Sequence, residues 1–236
     1  MTRARDFSFE NNPSADTIYS ISNGADVPLG SKGLGLAATR HIPKGTRIIS
    51  EPILISVPKR MYSTEERLKL IDQQLDAMTD DQRESLRHIS VYEWFRLPGI
   101  ERDNSPRHFL PVKELSTMDV IFGDANRINH DCDSNAQHHW NDDIKRLTVH
   151  ALRDIQPGEE ITTSYGSFLN SQNVRRAMFE AMFSFQCSCR LCSLPDNQMQ
   201  ERDRKVAQFT HAERSLQKGS DKHPAFIKLG LFRVAR

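Results

Sequence analysis

Three of the chain's four cysteines fall within six residues, Cys187-Ser188-Cys189-Arg190-Leu191-Cys192, and the fourth, Cys132, stands far upstream. A hydrophobic core uses free cysteines singly, as small apolar residues, and has no reason to produce that density. Sulfurs crowded together need a cation if they are to remain thiolates. Zinc fits best, because it takes four sulfurs tetrahedrally at about 2.3 Å and closes the site against chemistry. Three ligands come from the knuckle, and Cys132 is the one cysteine left to complete the set. The expectation is a single structural Zn2+ site made of Cys132, Cys187, Cys189 and Cys192, whose affinity adds directly to folding stability. Buried free thiols or disulfides remain the competing reading, and an intracellular setting weighs against disulfides.

The remaining composition sets limits. A chain of 236 residues, 37% hydrophobic and 27% charged, can hold one large domain, or a domain with a small helical annex, around a sizeable core. Its apolar runs are too short to cross a bilayer. Residues 1–16 are polar, with Arg3, Arg5 and Asp6 where a secretory signal needs an apolar stretch, so a protein of the nucleus or cytoplasm is expected. A formal charge of +1, with Lys and Arg spread among acids, gives no basic footprint for nucleic acid. No membrane contact and no direct nucleic-acid binding are expected, and a monomer is.

Along the chain, short strands and turns alternate with helical stretches. Residues 1–16 read as a mobile arm. Tyr19 to Ile21, Leu36 to Ile42 and Arg47 to Val57 read as strands, separated by glycine-rich text around Gly30 to Gly35 and by the turn Pro43-Lys44-Gly45. Between Ser63 and Ile89 the period becomes helical, with Leu68, Ile71, Leu75 and Met78 on one face and Ser63 or Thr64 as the cap before Glu65 and Glu66. Trp94 to Pro111 carries no periodic cue. Arg146 to Ile155 and Glu160 to Tyr165 read as strands about the turn Gln156-Pro157-Gly158. Asn170 or Ser171 then opens a helix whose Val174, Met178 and Met182 fall at the spacing of a buried face. Met199 to Lys218 reads as a charged surface helix packed by Val206, Phe209 and Leu216. The phrases from His41 to Ile48 and from Asp154 to Ile161 echo each other as strand, turn, strand.

Three segments carry the chemistry: Lys32-Gly33-Leu34-Gly35-Leu36, then Arg127-Ile128-Asn129-His130-Asp131-Cys132-Asp133-Ser134-Asn135, then Gly158-Glu159-Glu160-Ile161-Thr162-Thr163-Ser164-Tyr165-Gly166. Each has an ordinary reading alone. Two glycines make a tight bend, Asn129 and His130 cap a turn, Tyr165 is a packed surface aromatic, and Phe183 and Phe185 are core. In series, with the cysteine knuckle last, the segments resemble the SET-domain family of S-adenosylmethionine-dependent protein lysine methyltransferases. The match runs from about Tyr19 to Cys192. It is nearest the branch whose SET domain is split by an insert, which includes the SMYD enzymes and many fungal SET proteins.

The resemblance implies an α+β fold, the SET or β-clip arrangement of short strands. Its parts would be a SET domain over 17–185, a helical insert at about 59–115, a zinc-binding post-SET knuckle at 186–195 and a helical tail over 196–236. It further implies that Lys32, Gly33, Leu34 and Gly35 line the methionine end of S-adenosylmethionine, that Asn129 and His130 hold its amino and adenine ends, and that Phe185 stacks on adenine. Tyr165 would be catalytic and touch the cofactor as well, Phe183 would wall the lysine channel, and Phe122 would form its upstream wall. The cysteine of Asn-His-x-Cys shares a zinc with the three that follow the SET domain, in agreement with the count above. The zinc would pin the Asn129-His130 segment to the helix end bearing Phe183 and Phe185.

The implied chemistry is a displacement at carbon that needs a neutral amine aligned with a sulfonium methyl at about 3 to 3.5 Å. An aromatic channel admits the ammonium by its ring faces and disfavours its charge by desolvation. The tyrosine, with an ordinary pKa near 10, stays neutral and orients by hydrogen bonding. The protein substrate implied is a histone tail or another lysine-bearing protein. A catalytically silent SET module used for protein binding is the alternative, and a zinc scaffold unrelated to SET a third. The chain departs from the family at Asp131, where serine is usual, at Ser134, where proline is usual, and at Asn126, where a small residue is usual. No cysteine remains to build the zinc-binding MYND module of SMYD enzymes.

Overall fold

The computed structural model describes residues 17–22, 35–59, 63–87, 115, 117–166, 169–183 and 185–219. The expected mobile arm, the stretch from Trp94 to Pro111, and Lys32, Gly33 and Leu34 lie outside the described residues. Described residues gather into two compact units. One takes the chain up to Asn129 together with Ser134–Thr163, and the other takes His130–Asp133 together with Ser164 onward.

The two echoing phrases frame the first unit. In each, a four-residue turn places glycine third with positive φ, +85° at Gly45 and +78° at Gly158, the backbone that a side chain at that turn position would strain. Thr46 N–H donates to Pro43 O at 3.1 Å and Glu159 N–H to Gln156 O at 3.0 Å, closing both turns. The phrases also meet, because Ile42 and Ile155 exchange both main-chain bonds at 2.9 Å as an antiparallel bridge. The resemblance between the two stretches of sequence is therefore a local pairing of like with like.

Around that frame lie β1 (Tyr19–Ser22), β2 (Gly35–Ala38), β3 (Arg47–Glu51), β4 (Ile55–Pro58), β5 (Met118–Ile121), the two-residue β6 (Asn129–His130), β7 (Ala136–Asn141), β8 (Arg146–Ala151) and β9 (Glu160–Thr163). They form three small sheets, ordered β1-β2-β9-β6, β3-β8-β7 and β4-β5. The run from Arg47 to Val57, read as one strand, is two. Pro52 has no N–H to give a ladder, and past it Leu54 N–H donates to Ile121 O at 2.8 Å, so the chain leaves β8 and takes β5 as its partner. Leu36, Ile42, Ile49, Phe122, Trp140, Val149, Ile155 and Ile161 fill the main core. Strand alternation between polar and apolar residues in β4, and the all-buried β2, follow from one-sided and two-sided cover respectively.

The helical insert begins as its cap predicts. α1 (Thr64–Ala77) starts with Ser63 in a capping box: Glu66 N–H donates to Ser63 Oγ at 3.3 Å and Ser63 N–H to the Glu66 carboxylate at 2.9 Å. These bonds hold the Glu66 carboxyl below its ordinary pKa. The single helix expected to Ile89 is interrupted, because Thr79 and Gln82 make a second reciprocal box at 3.0 and 3.3 Å that starts α2 (Asp80–Arg87). Ile71, Leu75, Met78 and Leu86 pack on Ile55, Val57 and Ile121, while Leu68 is half-buried. The buried Arg67 locks α1 to the stem strands through Asp119 and through Pro58 O at 3.2 Å.

In the second unit, α3 (Gln172–Phe183) and α4 (Asp196–Gly219) flank the cysteine knuckle. Here one expectation fails. Val174 is 51% exposed and Met182 38%, with Met178 half-buried. α3 instead buries the adjacent stripe, Arg175 and Phe179. The apolar spacing of Val174, Met178 and Met182 is real, but a charged residue with thiol partners takes the inward position one step along. On α4, Met199 and Val206 are buried as a thin stripe on a charged helix.

Candidate functional site

The segment from Asn129 to Asn135 is anchored at both ends in the first unit. Asn129 Nδ2 donates to Glu160 Oε1 at 2.9 Å. Asn135, 2% exposed, imitates a strand residue with its side chain. Its Nδ2 donates to Glu160 O at 2.7 Å and to Glu159 Oε1 at 3.0 Å, and its Oδ1 accepts Thr162 N–H at 2.8 Å. Glu159 is held below the ordinary carboxylate range despite partial burial, by Arg153, by Gln156 N–H and by Asn135. Gly35 opens β2, which pairs with β9 at Leu36↔Ile161. Phe122 is buried beside Trp140, ring centroids 6.3 Å apart, and its N–H donates to Asn126 Oδ1 at 2.8 Å. That bond gives Asn126 a structural use at the position where a small residue was expected.

In the second unit the four cysteines come together as the count requires. Their sulfurs all lie within 4.8 Å of one another, with Cys132 at 3.9 Å from Cys187 and 3.5 Å from Cys192. A tetrahedral zinc with bonds of about 2.3 Å sets its sulfurs about 3.8 Å apart, close to the two separations from Cys132, so the cluster suits a four-sulfur ion. All are buried, and none is in a disulfide. In the absence of a cation they cannot all ionise: hydrogen bonds that the Cys132 thiol gives to Cys187, Cys189 and Cys192, with burial, push it far up. Bonds from Cys132, Cys187 and Cys189, helped by Arg175, push Cys192 far down. One proton pool shared by four sulfurs is what a divalent cation displaces.

Two cationic or polar groups attend the cluster. Arg175, 1% exposed, reaches Cys192 Sγ with Nη2 at 3.6 Å and Asn170 O with Nη1 at 2.7 Å. Cys192 N–H donates to Cys189 Sγ at 3.4 Å. Neither Arg175 nor Phe179 was singled out from sequence. Their signal is weak, since it consists only of an arginine one step out of phase with an apolar stripe. One departure beside Cys132 has a local use: Asp131 Oδ1 accepts Asp133 N–H at 2.7 Å, and Asp133 itself pairs with Arg190 at 2.6 Å. Asp131 thus folds the ligand loop, and the next carboxylate ties it to the knuckle.

Tyr165 lies in an aromatic group in the same unit. Its ring centroid is 5.0 Å from Phe183, 5.3 Å from His130 and 6.5 Å, edge on, from Phe185. Phe185 in turn stacks on Phe179 at 5.4 Å and 12°. Tyr165 N–H donates to His130 Nδ1 at 3.0 Å. The sequence-derived residues Tyr165, His130, Phe183 and Phe185 are therefore neighbours, and they are continuous with Cys132, Cys187, Cys189 and Cys192 in one cluster.

Short antiparallel strands and a helical insert in the first unit, and in the second four clustered cysteines that could hold a metal ion and a tyrosine ringed by aromatics, make this an α+β protein. The sequence pattern of the family described as SET domain matches residues 33–166, and the chain belongs to that family. It is similar to histone-lysine N-methyltransferase set5 of Schizosaccharomyces pombe, 31% identical over 213 residues that cover 88% of this chain and 60% of the relative. Histone-lysine N-methyltransferase SET5 of Yarrowia lipolytica is 25% identical over 70% of this chain and 40% of its own length. Histone-lysine N-methyltransferase SMYD3 of Mus musculus is 23% identical over 66% and 41%. The chain thus spans about 60% of the length of the first of these relatives and less of the others. Among the described residues no helix is long and apolar enough to cross a membrane.

Proposed function

We propose that the chain transfers a methyl group from S-adenosylmethionine to a lysine side chain of a histone or another protein, with one zinc held by Cys132, Cys187, Cys189 and Cys192. The observation that carries this reading is Tyr165 set among Phe183, Phe185 and His130 with its main chain fixed. Family membership and relatives named histone-lysine N-methyltransferases support it.

S-adenosylmethionine supplies an electrophilic methyl on a sulfonium, and the protein's task is alignment. Asn129 would meet the amino end of the donor, a reading supported by the bond from its Nδ2 to Glu160 Oε1 at 2.9 Å, which holds the side chain in place. Lys32, Gly33, Leu34 and Gly35 would contribute main chain on the donor's methionine side, and Phe185 a flat face for its adenine. Phe183, with Phe122 as the upstream wall, would flank the substrate lysine, whose ammonium must shed its proton to react. Aromatic faces tolerate the cation on entry, and loss of water there lowers its pKa. Tyr165 would orient the amine through its phenol. Zinc would stabilise the fold without touching the methyl.

Binding comes first in the test: calorimetry with S-adenosylmethionine should give heat with the wild type and a marked loss with Asn129→Ala. Radiolabelled methyl transfer to histones and to cell extract, followed by mass spectrometry of the labelled protein, should then identify the lysine. Tyr165→Phe should lower transfer by about two orders of magnitude, the size expected when an orienting group is removed, with melting temperature unchanged. Equal transfer by wild type and Tyr165→Phe would remove the tyrosine from the mechanism, and cofactor binding without any transfer would favour a silent module.

A further inference from the structure

His130 is almost wholly buried, 4% exposed, with its ring against Phe179 at 4.2 Å and Tyr165 at 5.3 Å. Packing alone among those rings would favour phenylalanine, since a polar ring costs free energy to bury unless its nitrogens are paired. Both are. Nδ1 accepts the Tyr165 N–H at 3.0 Å, and Nε2 lies 3.2 Å from Cys132 Sγ. An acceptor at Nδ1 fixes the tautomer: the ring's one proton is on Nε2, and it points at the sulfur.

We propose that the His130 imidazole is a positioning residue that transmits the fixed place of the Cys132 thiolate to the main chain of Tyr165, and so sets where the tyrosine phenol stands. The proposal rests on the reading of Tyr165 as the orienting group. With a metal bound, Cys132 Sγ would be a thiolate held by a coordination bond, and an N–H donated to a thiolate is a charge-assisted bond. From that sulfur the path to the tyrosine is one side chain long, Sγ to Nε2 to Nδ1 to the Tyr165 amide. A phenol displaced by about 1 Å can cost about 100-fold in rate with little change in binding. This role also explains why the ligand cysteine stands two residues after the histidine: the spacing lets one buried ring reach back to the sulfur while facing the strand exit at Tyr165.

The bond to sulfur is read directly in the wild-type protein loaded with cadmium-113 and labelled with nitrogen-15. A scalar correlation between the metal and the His130 Hε2 proton is expected, and its absence from a folded, cadmium-loaded sample would overturn the proposal. Two variants then separate positioning from packing. His130→Phe keeps a ring but neither bond, whereas the carboxamide of His130→Gln offers one acceptor and one donor.

His130→Phe is expected to lower kcat about 100-fold with KM for peptide within about threefold, and to speed solvent exchange of the Tyr165 amide at least tenfold. His130→Gln should recover most of both losses. A kcat within threefold of wild type in His130→Phe, a loss carried by KM instead, or a glutamine variant no better than phenylalanine would each refute the assignment. If His130→Phe does not fold, the cadmium correlation and the glutamine variant still decide. If the wild type transfers no methyl at all, the proposed function fails, and the cadmium correlation with Tyr165 amide protection tests the link by itself.

Discussion

Asn135→Ala removes a side chain that behaves as an extra strand residue for β9. Its amide satisfies Glu160 O at 2.7 Å and Thr162 N–H at 2.8 Å, and it bonds Glu159 at 3.0 Å. Truncation leaves a main-chain carbonyl and a main-chain N–H of a largely buried strand without those partners. Each unsatisfied buried group costs about 1–3 kcal/mol, and water entering the vacated space offsets part of that. A net loss of about 3 kcal/mol follows, equivalent to a fall in melting temperature of about 6–12 °C for a chain of this size. Urea unfolding should show the midpoint falling with an unchanged slope. Asn135→Asp is the sharper control: it keeps an acceptor for Thr162 N–H but turns the donor into an oxygen facing Glu160 O and the Glu159 carboxylate, so it should cost at least as much as alanine. An alanine variant within about 0.5 kcal/mol of wild type, the range of ordinary surface changes, or an aspartate variant milder than alanine, would refute the reasoning.

Two further outcomes are expected of the four-cysteine cluster. Cys189→Ser should lower bound zinc, measured by atomic emission, and cofactor heat in calorimetry together, because ion affinity is folding free energy in such a site; full zinc content with normal stability would contradict the four-cysteine ligand set. Arg175→Met should release zinc to a chromogenic chelator about tenfold faster, the scale on which groups hydrogen-bonded to metal ligands act, whereas Arg175→Lys should fall between methionine and wild type. An unchanged release rate would show that the guanidinium only fills space.

The parts of this protein that could be read from its sequence are those written locally. Three cysteines in six residues, Ser63 followed by Glu66, and Pro-x-Gly or Pro-Gly at two turns each state their geometry within a few positions, and each stands as expected. Errors arose where a distant partner decides. Arg175 is buried because a sulfur 17 residues on accepts from it, and no helical period can announce that; Val174 and Met182 looked like the inward face because the apolar pattern was the only local information. Pro52, with no N–H to give a ladder, is a local cue within an otherwise strand-like run. Asn135 lay inside a recognised motif, yet its bonds to a strand 27 positions later appear only in three dimensions.

The paired stem of β4 and β5 has a consequence for how this protein can vary. From Ile55↔Ile121 to Pro58↔Met118 the two strands run antiparallel, so the chain departs and returns at one place, with α1 pinned to the stem by Arg67. Closing a longer excursion over such a stem costs only about 0.6 kcal/mol per doubling of its length. The stretch between them is therefore a socket for grafting: segments of different size and charge can be exchanged there while β4 and β5 keep their pairing and register.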